Sequence, residues 1–269
     1  MSLVTQALGE RLAAHGLDIT HPFDVRWYND LIKEQQLPLV PLPSFGREDG
    51  QALGILVGNS AALWLPFLRW LGAQPNPDSI PDPLDTFTST IINQELDVLV
   101  QQEMKKGNGA NCTVARDVFW AALGEPQERL VSMQRVAVVS GVCYHDSETQ
   151  LAIHPTFGSW LGFRAVIVLD IDPNLGPPPA RVPCLLSEAE KTAAREAMAA
   201  AMRASDAANL CTQLHGAAGM EKDVRLAWAA LRDCVSVGKE HRYSEAQLVY
   251  HYTKDRTVLN QAVQNAVAS

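Results

Sequence analysis

The run LGFRAVIVL, from Leu161 to Leu169, constrains the fold more than any other stretch of this chain. Val166, Ile167, Val168 and Leu169 form a β-branched and aliphatic series that predicts a strand covered on both faces. Just upstream, Pro155 and Gly158 of HPTFGSW turn the chain into it. One arginine, Arg164, interrupts the run. A guanidinium in such a strand is costly to desolvate unless an anion meets it. Two readings stay open: a salt bridge to a core carboxylate, or a cleft arginine that receives a carboxylate from a ligand.

The rest of the pattern divides at a proline-rich connector from Asp172 to Pro183, which includes Pro177, Pro178 and Pro179. Before it, strands are predicted at Leu53–Val57, Val114–Trp120, Gly141–Tyr144 and Leu161–Leu169. The first helix is amphipathic through Leu3, Ala7, Leu8 and Leu12. A second carries Leu63, Phe67, Leu68 and Leu71, is capped by Asn59 or Ser60, and is kinked at Pro66. Another runs from about Asp85 through Phe87, Ile91, Ile92, Leu96 and Leu99 to Lys105-Lys106-Gly107, and a further one covers Gln127–Ser140. After the connector, Ser187 and Glu190 form a capping box that opens the alanine-rich helix Ala189–Ala204, and helical patterns continue to the end. Strands before the connector and helices after it predict an α+β core at 1–172. The connector is then 173–184, and a helical C-terminal region, 185–269, packs on the core as one unit.

Composition excludes several classes. A net charge of −8 on 269 residues argues against binding duplex nucleic acid or an anionic membrane. Cys112, Cys143, Cys184, Cys211 and Cys234 are odd in number and widely spaced, so a reducing, cytoplasmic setting is expected. The N-terminal segment lacks a signal-peptide core, and no apolar run is long enough to span a membrane.

Chemical motifs are few. GxGxxG, a Walker loop and HExxH are absent. Gly58-Asn59-Ser60-Ala61-Ala62 lacks the last glycine of a nucleophile elbow. His215-Gly216-Ala217-Ala218-Gly219 falls short of a cobalt-ligating D-x-H-x-x-G signature at Gln213 and Ala218. With no nucleophile or metal cage in view, any hard chemistry falls to a cofactor or reactive substrate. In the tail, Arg232, Arg242 and Arg256 alternate with Asp233, Glu240, Glu245 and Asp255, accompanied by Tyr243, Tyr250 and Tyr252. Such arginines either form solvated ion pairs or line a pocket for a flat, carboxylate-bearing ligand.

Taken together and in order, HPFDVRWYNDLI, LGILVGNSAALWLPFL, DPLDTFTSTI, IHPTFGSWLGFRAVIVL and HRYSEAQLVYHY resemble the CblC family of cobalamin-processing and trafficking proteins. W-Y-N at Trp27–Asn29, I-H-P-x-F-G-x-W at Ile153–Trp160 and R-Y-S-E at Arg242–Glu245 are specific in combination. The resemblance implies a flavin nitroreductase-like antiparallel sheet flanked by helices, with a helical C-terminal cap. It further implies base-off binding of cobalamin, with two reactions on it. One is reductive decyanation with electrons from reduced FMN or FAD, and the other is glutathione-dependent dealkylation. A carrier without catalysis and a general flavin reductase are the alternatives. Implied partners are a downstream cobalamin-trafficking protein or a flavoprotein reductase, with a ligand-induced homodimer.

Residue by residue, the resemblance places corrin contacts at Val131, Ser132, Met133 and Gln134, at His145, Asp146 and Ser147, and at Ala152, Trp160 and Phe163. It places glutathione carboxylates on Arg164, Arg232 and Arg256. No protein ligand to cobalt and no catalytic side chain is implied. The chain departs from the family pattern at GEPQERLV (Gly124–Val131), where a basic loop is usual. It also departs in an insertion around Lys105–Cys112 and in a tyrosine run shortened to Tyr144.

Overall fold

The fold is built outward from the arginine-bearing strand, in a computed structural model that describes residues 3–106, 114–121, 126–215 and 221–268. Along the chain come α1 (Leu3–Ala13), β1 (Ile19–Asp24), α2 (Val25–Glu34), β2 (Leu53–Asn59), α3 (Trp64–Gly72), α4 (Pro83–Lys106), β3 (Arg116–Trp120) and α5 (Met133–Val139). They are followed by β4 (Tyr144–His145), β5 (Ala152–Ile153), β6 (Gly162–Leu169), α6 (Glu188–His215), α7 (Glu221–Asp233), α8 (Glu245–Thr253) and α9 (Arg256–Val267). The chain divides into two compact units, Met1–Cys143 with Gly162–Arg181, and Tyr144–Leu161 with Val182–Ser269. In the sequence reading 144–161 stands with the core; in the structure it clusters with the C-terminal helices.

The first unit holds a four-stranded antiparallel sheet in the order β1-β2-β6-β3. Leu53 pairs with Leu169 and Ile55 with Ile167, and every residue of β2 is buried. In β6, Ala165 to Leu169 are fully buried, which accounts for the unbroken apolar run there. Gly54 leaves room for the Phe23 ring, which any Cβ would strike. After an irregularity at Val57/Gly58, Asn59 comes opposite Gly162 at the end of the ladder.

Ser60, fixed by Asp18, caps the turn after β2 by accepting from the Ala62 N–H. Pro66 lies in the first turn of α3, where its missing N–H is no loss, and not in the middle of the helix, where it would break a hydrogen bond. The predicted helix Gln127–Ser140 resolves into a 3-10 turn, Gln127–Arg129, and the short α5. Ser132 starts α5, its Oγ accepting from the Arg135 N–H. Gly141, read as the start of a strand, is instead the left-handed residue that ends α5 at φ 72°. Its N–H bonds to the Val138 carbonyl and that of Val142 to Ala137, closing a Schellman turn. The strand expected at Gly141–Tyr144 is therefore confined to β4.

The second unit packs Ile153, Leu186 and Val235 together, flanked by Tyr144, Leu151, Leu185 and Val237. Ser187 and Glu190 form the expected capping box, and α6 runs on to His215. Glu190 also accepts from the Ser236 N–H at 2.8 Å, and these bonds hold its carboxyl down at about 2. Trp228 of α7 donates to Ser205 of α6 at 3.1 Å. Gly107, the insertion around Lys105–Cys112 and the segment after His215 fall wholly or partly outside the described residues.

Candidate functional site

Arg164 emerges from β6 next to the end of β2, with only 15% of its side chain exposed. Its Nε donates to Asn59 Oδ1 at 2.6 Å, and Asp85, at the start of α4, stands 3.8 Å from Nη1. Asn59 is 1% exposed and also donates to the Ser60 carbonyl. The first partner of this guanidinium is thus a buried amide, with a carboxylate at the outer limit of an ion pair. The sequence suggested Asn59 only as a cap.

In the same unit, Val131, Ser132 and Gln134 are half-buried at the start of α5, Met133 is buried at 8% exposure, and Phe163 is half-buried on β6. The W-Y-N motif supports this end of α5. Tyr28 is wholly buried and accepts from the Ser132 N–H at 3.2 Å, while burial raises its phenol above the ordinary range. Asn29 bonds both backbone groups of Leu42, its side chain closing on the proline-rich loop.

A different set occupies the second unit. β4 and β5 form a two-stranded hairpin in which His145 pairs with Ala152. Asp146 is buried in the turn, where Oδ2 accepts from the Thr149 N–H at 2.9 Å and hydroxyl at 2.6 Å. Ser147 is exposed. The Tyr144 phenol is raised mainly by its hydrogen bond with Cys184 and then by burial.

The I-H-P-x-F-G-x-W motif follows and shapes the loop before Trp160. His154 Nδ1 accepts from the Thr156 and Phe157 N–H groups, folding the turn. Gly158, at φ 57°, lets the Val237 carbonyl approach where a Cβ would stand. Ser159 donates to the Arg232 carbonyl at 3.0 Å, and Trp160 is fully buried.

Arg232, in the last turn of α7, lies inside an aromatic cage. Its guanidinium carbon is 5.6 Å from the Trp160 ring, 5.7 Å from Tyr243 and 5.9 Å from Tyr252. Three buried polar atoms here lack a hydrogen-bond partner among the described residues: Arg232 Nη1, Trp160 Nε1 and Tyr243 Oη. All three can donate, and buried donors are rarely left unmatched, so the cage is suited to an acceptor-rich anion.

R-Y-S-E supplies the surroundings. Arg242 makes a two-pronged pair with Asp233 at 2.8 and 3.1 Å, Ser244 caps α8, and Glu245 pairs with the buried Arg225. Arg256 is half-buried at the start of α9, where Asp255 is the cap. The structure therefore groups Arg232 with Trp160 in the second unit, and places Arg164 with Phe163 and the α5 residues in the first. Arg225 was missed by sequence reasoning because its partner, Glu245, lies a helix away. Among the described residues, no group of three His, Cys, Asp or Glu side chains is placed to hold a metal, and no helix is long and apolar enough to cross a membrane.

No family model matches the chain, and no curated protein matches it in sequence. Solved structures do. The C. elegans B12-trafficking protein CblC, a human MMACHC homologue, superposes with a TM-score of 0.62 at 16% identity, over 97% of this chain and 96% of that one. Epoxyqueuosine reductase from Bacillus subtilis gives a TM-score of 0.43 at 12% identity, over 98% of this chain and 80% of that one. A selenomethionine-labelled epoxyqueuosine reductase gives 0.41 at 12% identity, over 72% and 52%. The α+β fold of this chain, an antiparallel sheet flanked by helices, is thus a CblC-like fold along nearly its whole length.

Proposed function

We propose that the chain is a cytosolic cobalamin-processing and trafficking protein. It binds the vitamin base-off, removes its upper axial ligand and passes the product to a trafficking partner. The observation that carries this reading is the end-to-end fold likeness to a B12-trafficking protein. Fold alone does not fix chemistry, so the residues must supply the rest.

Cobalt freed from its lower base would be easier to reduce, and cob(I)alamin, which keeps no lower base, would leave more readily when a thiolate takes the alkyl group, so base-off binding would favour both reactions. The half-buried Gln134 offers an amide to corrin carboxamides, beside Val131 and Ser132. His145 and Ala152 on the hairpin, with Ser147 at its turn, are proposed as further contacts, while Asp146 and Trp160 act by holding their neighbours. Phe163 supplies an apolar surface. Reduced FMN or FAD would supply electrons for decyanation, and no described residue is assigned to it.

For dealkylation, glutathione brings two carboxylates and a thiol. The caged Arg232, with the unmatched donors of Trp160 and Tyr243, suits one carboxylate. Arg256, in the same unit, is proposed for the other carboxylate, and Arg164 is proposed separately as an anion contact in the first unit. A ligand-induced homodimer belongs to the same reading.

Mixing the protein with methylcobalamin and glutathione tests the proposal through the visible spectrum. A base-off shift followed by loss of the methyl–cobalt bands is expected. A shift without turnover would leave a carrier, and no shift with protein in excess would overturn the cobalamin reading and favour a general flavin reductase.

A further inference from the structure

A cavity of about 480 Å³ in the first unit shares no residue with the proposed cobalamin or glutathione contacts. Its size is that of a small-ligand pocket. One wall is α2, where Trp27, Asp30 and Glu34 fall on a single helical stripe. Pro178, Pro179 and Arg181 of the connector form another wall, and the buried Leu31 and Val139 also line the cavity. The connector is seated firmly here, since Pro179 packs against the left-handed Gly141 that ends α5.

The charges are unevenly used. Arg26, also in the lining, is already engaged by Asp24, at 3.0 Å from Nε and 2.9 Å from Nη2. Asp30, Glu34 and Arg181 are exposed and make no ion pair among the described residues. The cavity therefore presents two uncommitted carboxylates, an indole and a single uncommitted guanidinium. An indole beside carboxylates favours an organic cation, and the guanidinium favours a carboxylate. A ligand that satisfies all of them carries two positive groups, one negative group and an alkyl stem.

We propose that this cavity binds a basic α-amino acid. The cationic groups are met by Asp30, Glu34 and the face of Trp27, the carboxylate by Arg181, and the stem by the proline rings. This site does not depend on the cobalamin reading.

The test titrates L-arginine into the protein while following the indole N–H of Trp27 by NMR, assigned by its loss in Trp27→Phe. L-Citrulline, the uncharged isostere, and agmatine, which lacks the carboxylate, are titrated in parallel. Saturable binding of arginine is expected, weakened about tenfold or more for citrulline and again in Asp30→Asn/Glu34→Gln. Arg181→Ala should erase the advantage of arginine over agmatine. Both variants alter exposed side chains, and their thermal melts check folding. Equal binding of arginine and citrulline, no saturable shift, or an unchanged double variant would each overturn the proposal.

Discussion

Arg232 has a covered guanidinium and an unmatched Nη1, a combination that stores binding capacity. If it holds a glutathione carboxylate as proposed, replacing it with alanine removes a charge-assisted contact of about 1.5–3 kcal/mol. Glutathione-dependent demethylation in Arg232→Ala should fall by roughly ten- to a hundredfold, with the base-off spectrum of bound cobalamin retained. Steady-state kinetics in glutathione measure this, and an unchanged KM and kcat would remove Arg232 from the reading. Tyr243→Phe deletes one unmatched donor while keeping the ring, so a smaller loss in the same assay is expected. At this scale the sequence was informative about which arginines are unusual. It set Tyr243 and Tyr252 beside the tail arginines, but it did not bring Trp160 to Arg232. Arg164 stood out because it interrupts an apolar strand, yet its partner Asn59 lies far away in sequence and becomes adjacent only through the β2–β6 register.

At the scale of elements, α5 depends on contributions from outside itself. It is a seven-residue helix started by Ser132 and held at that end by the Tyr28 hydroxyl. Short helices gain little from propensity, so caps and packing decide them. Ser132→Ala should cost about 1 kcal/mol in chemical denaturation and weaken cobalamin binding with it. The helix-like pattern of Gln127–Ser140, wholly apolar only at Val136–Val139, hid this break, because Ser132 as a cap and Gly141 as a left-handed stop are visible only in their hydrogen bonds. The capping box of α6 was legible because Ser and Glu three residues apart have a local signature. Glu190 also bonds Ser236, which the sequence did not reveal. Its carboxyl is depressed from 4.5 to about 2, so its stabilisation is present above about pH 4.5 and is lost as pH falls toward 2. Thermal melts across that range should show wild type and Glu190→Gln differing above pH 4.5 and converging toward pH 2. A gap independent of pH would contradict this.

For the molecule as a whole, a ligand that binds only the folded state adds stability by mass action. Cobalamin at about a hundred times its dissociation constant should contribute about 2.7 kcal/mol, readable as a rise in Tm, and Arg232→Ala should leave that rise intact. The strands β2, β3 and β6 and the helices α1, α3, α4 and α6 followed from periodicity, but β1, α2, the strand order and the assignment of 144–161 did not. Its apolar residues, such as Leu151, Ile153 and Trp160, do not say which unit they join, and its allegiance is set by contacts made after the connector, such as Ile153 with Leu186 and Ser159 with Arg232.

Because the chain passes between units after Cys143, Leu161 and Arg181, the helical half is stitched from two separate lengths of polypeptide. A protease that nicks the exposed bond after Arg181 would cut the thread without undoing the seam. Trypsin-clipped protein should travel as one particle in gel filtration and fall into two pieces only in denaturant.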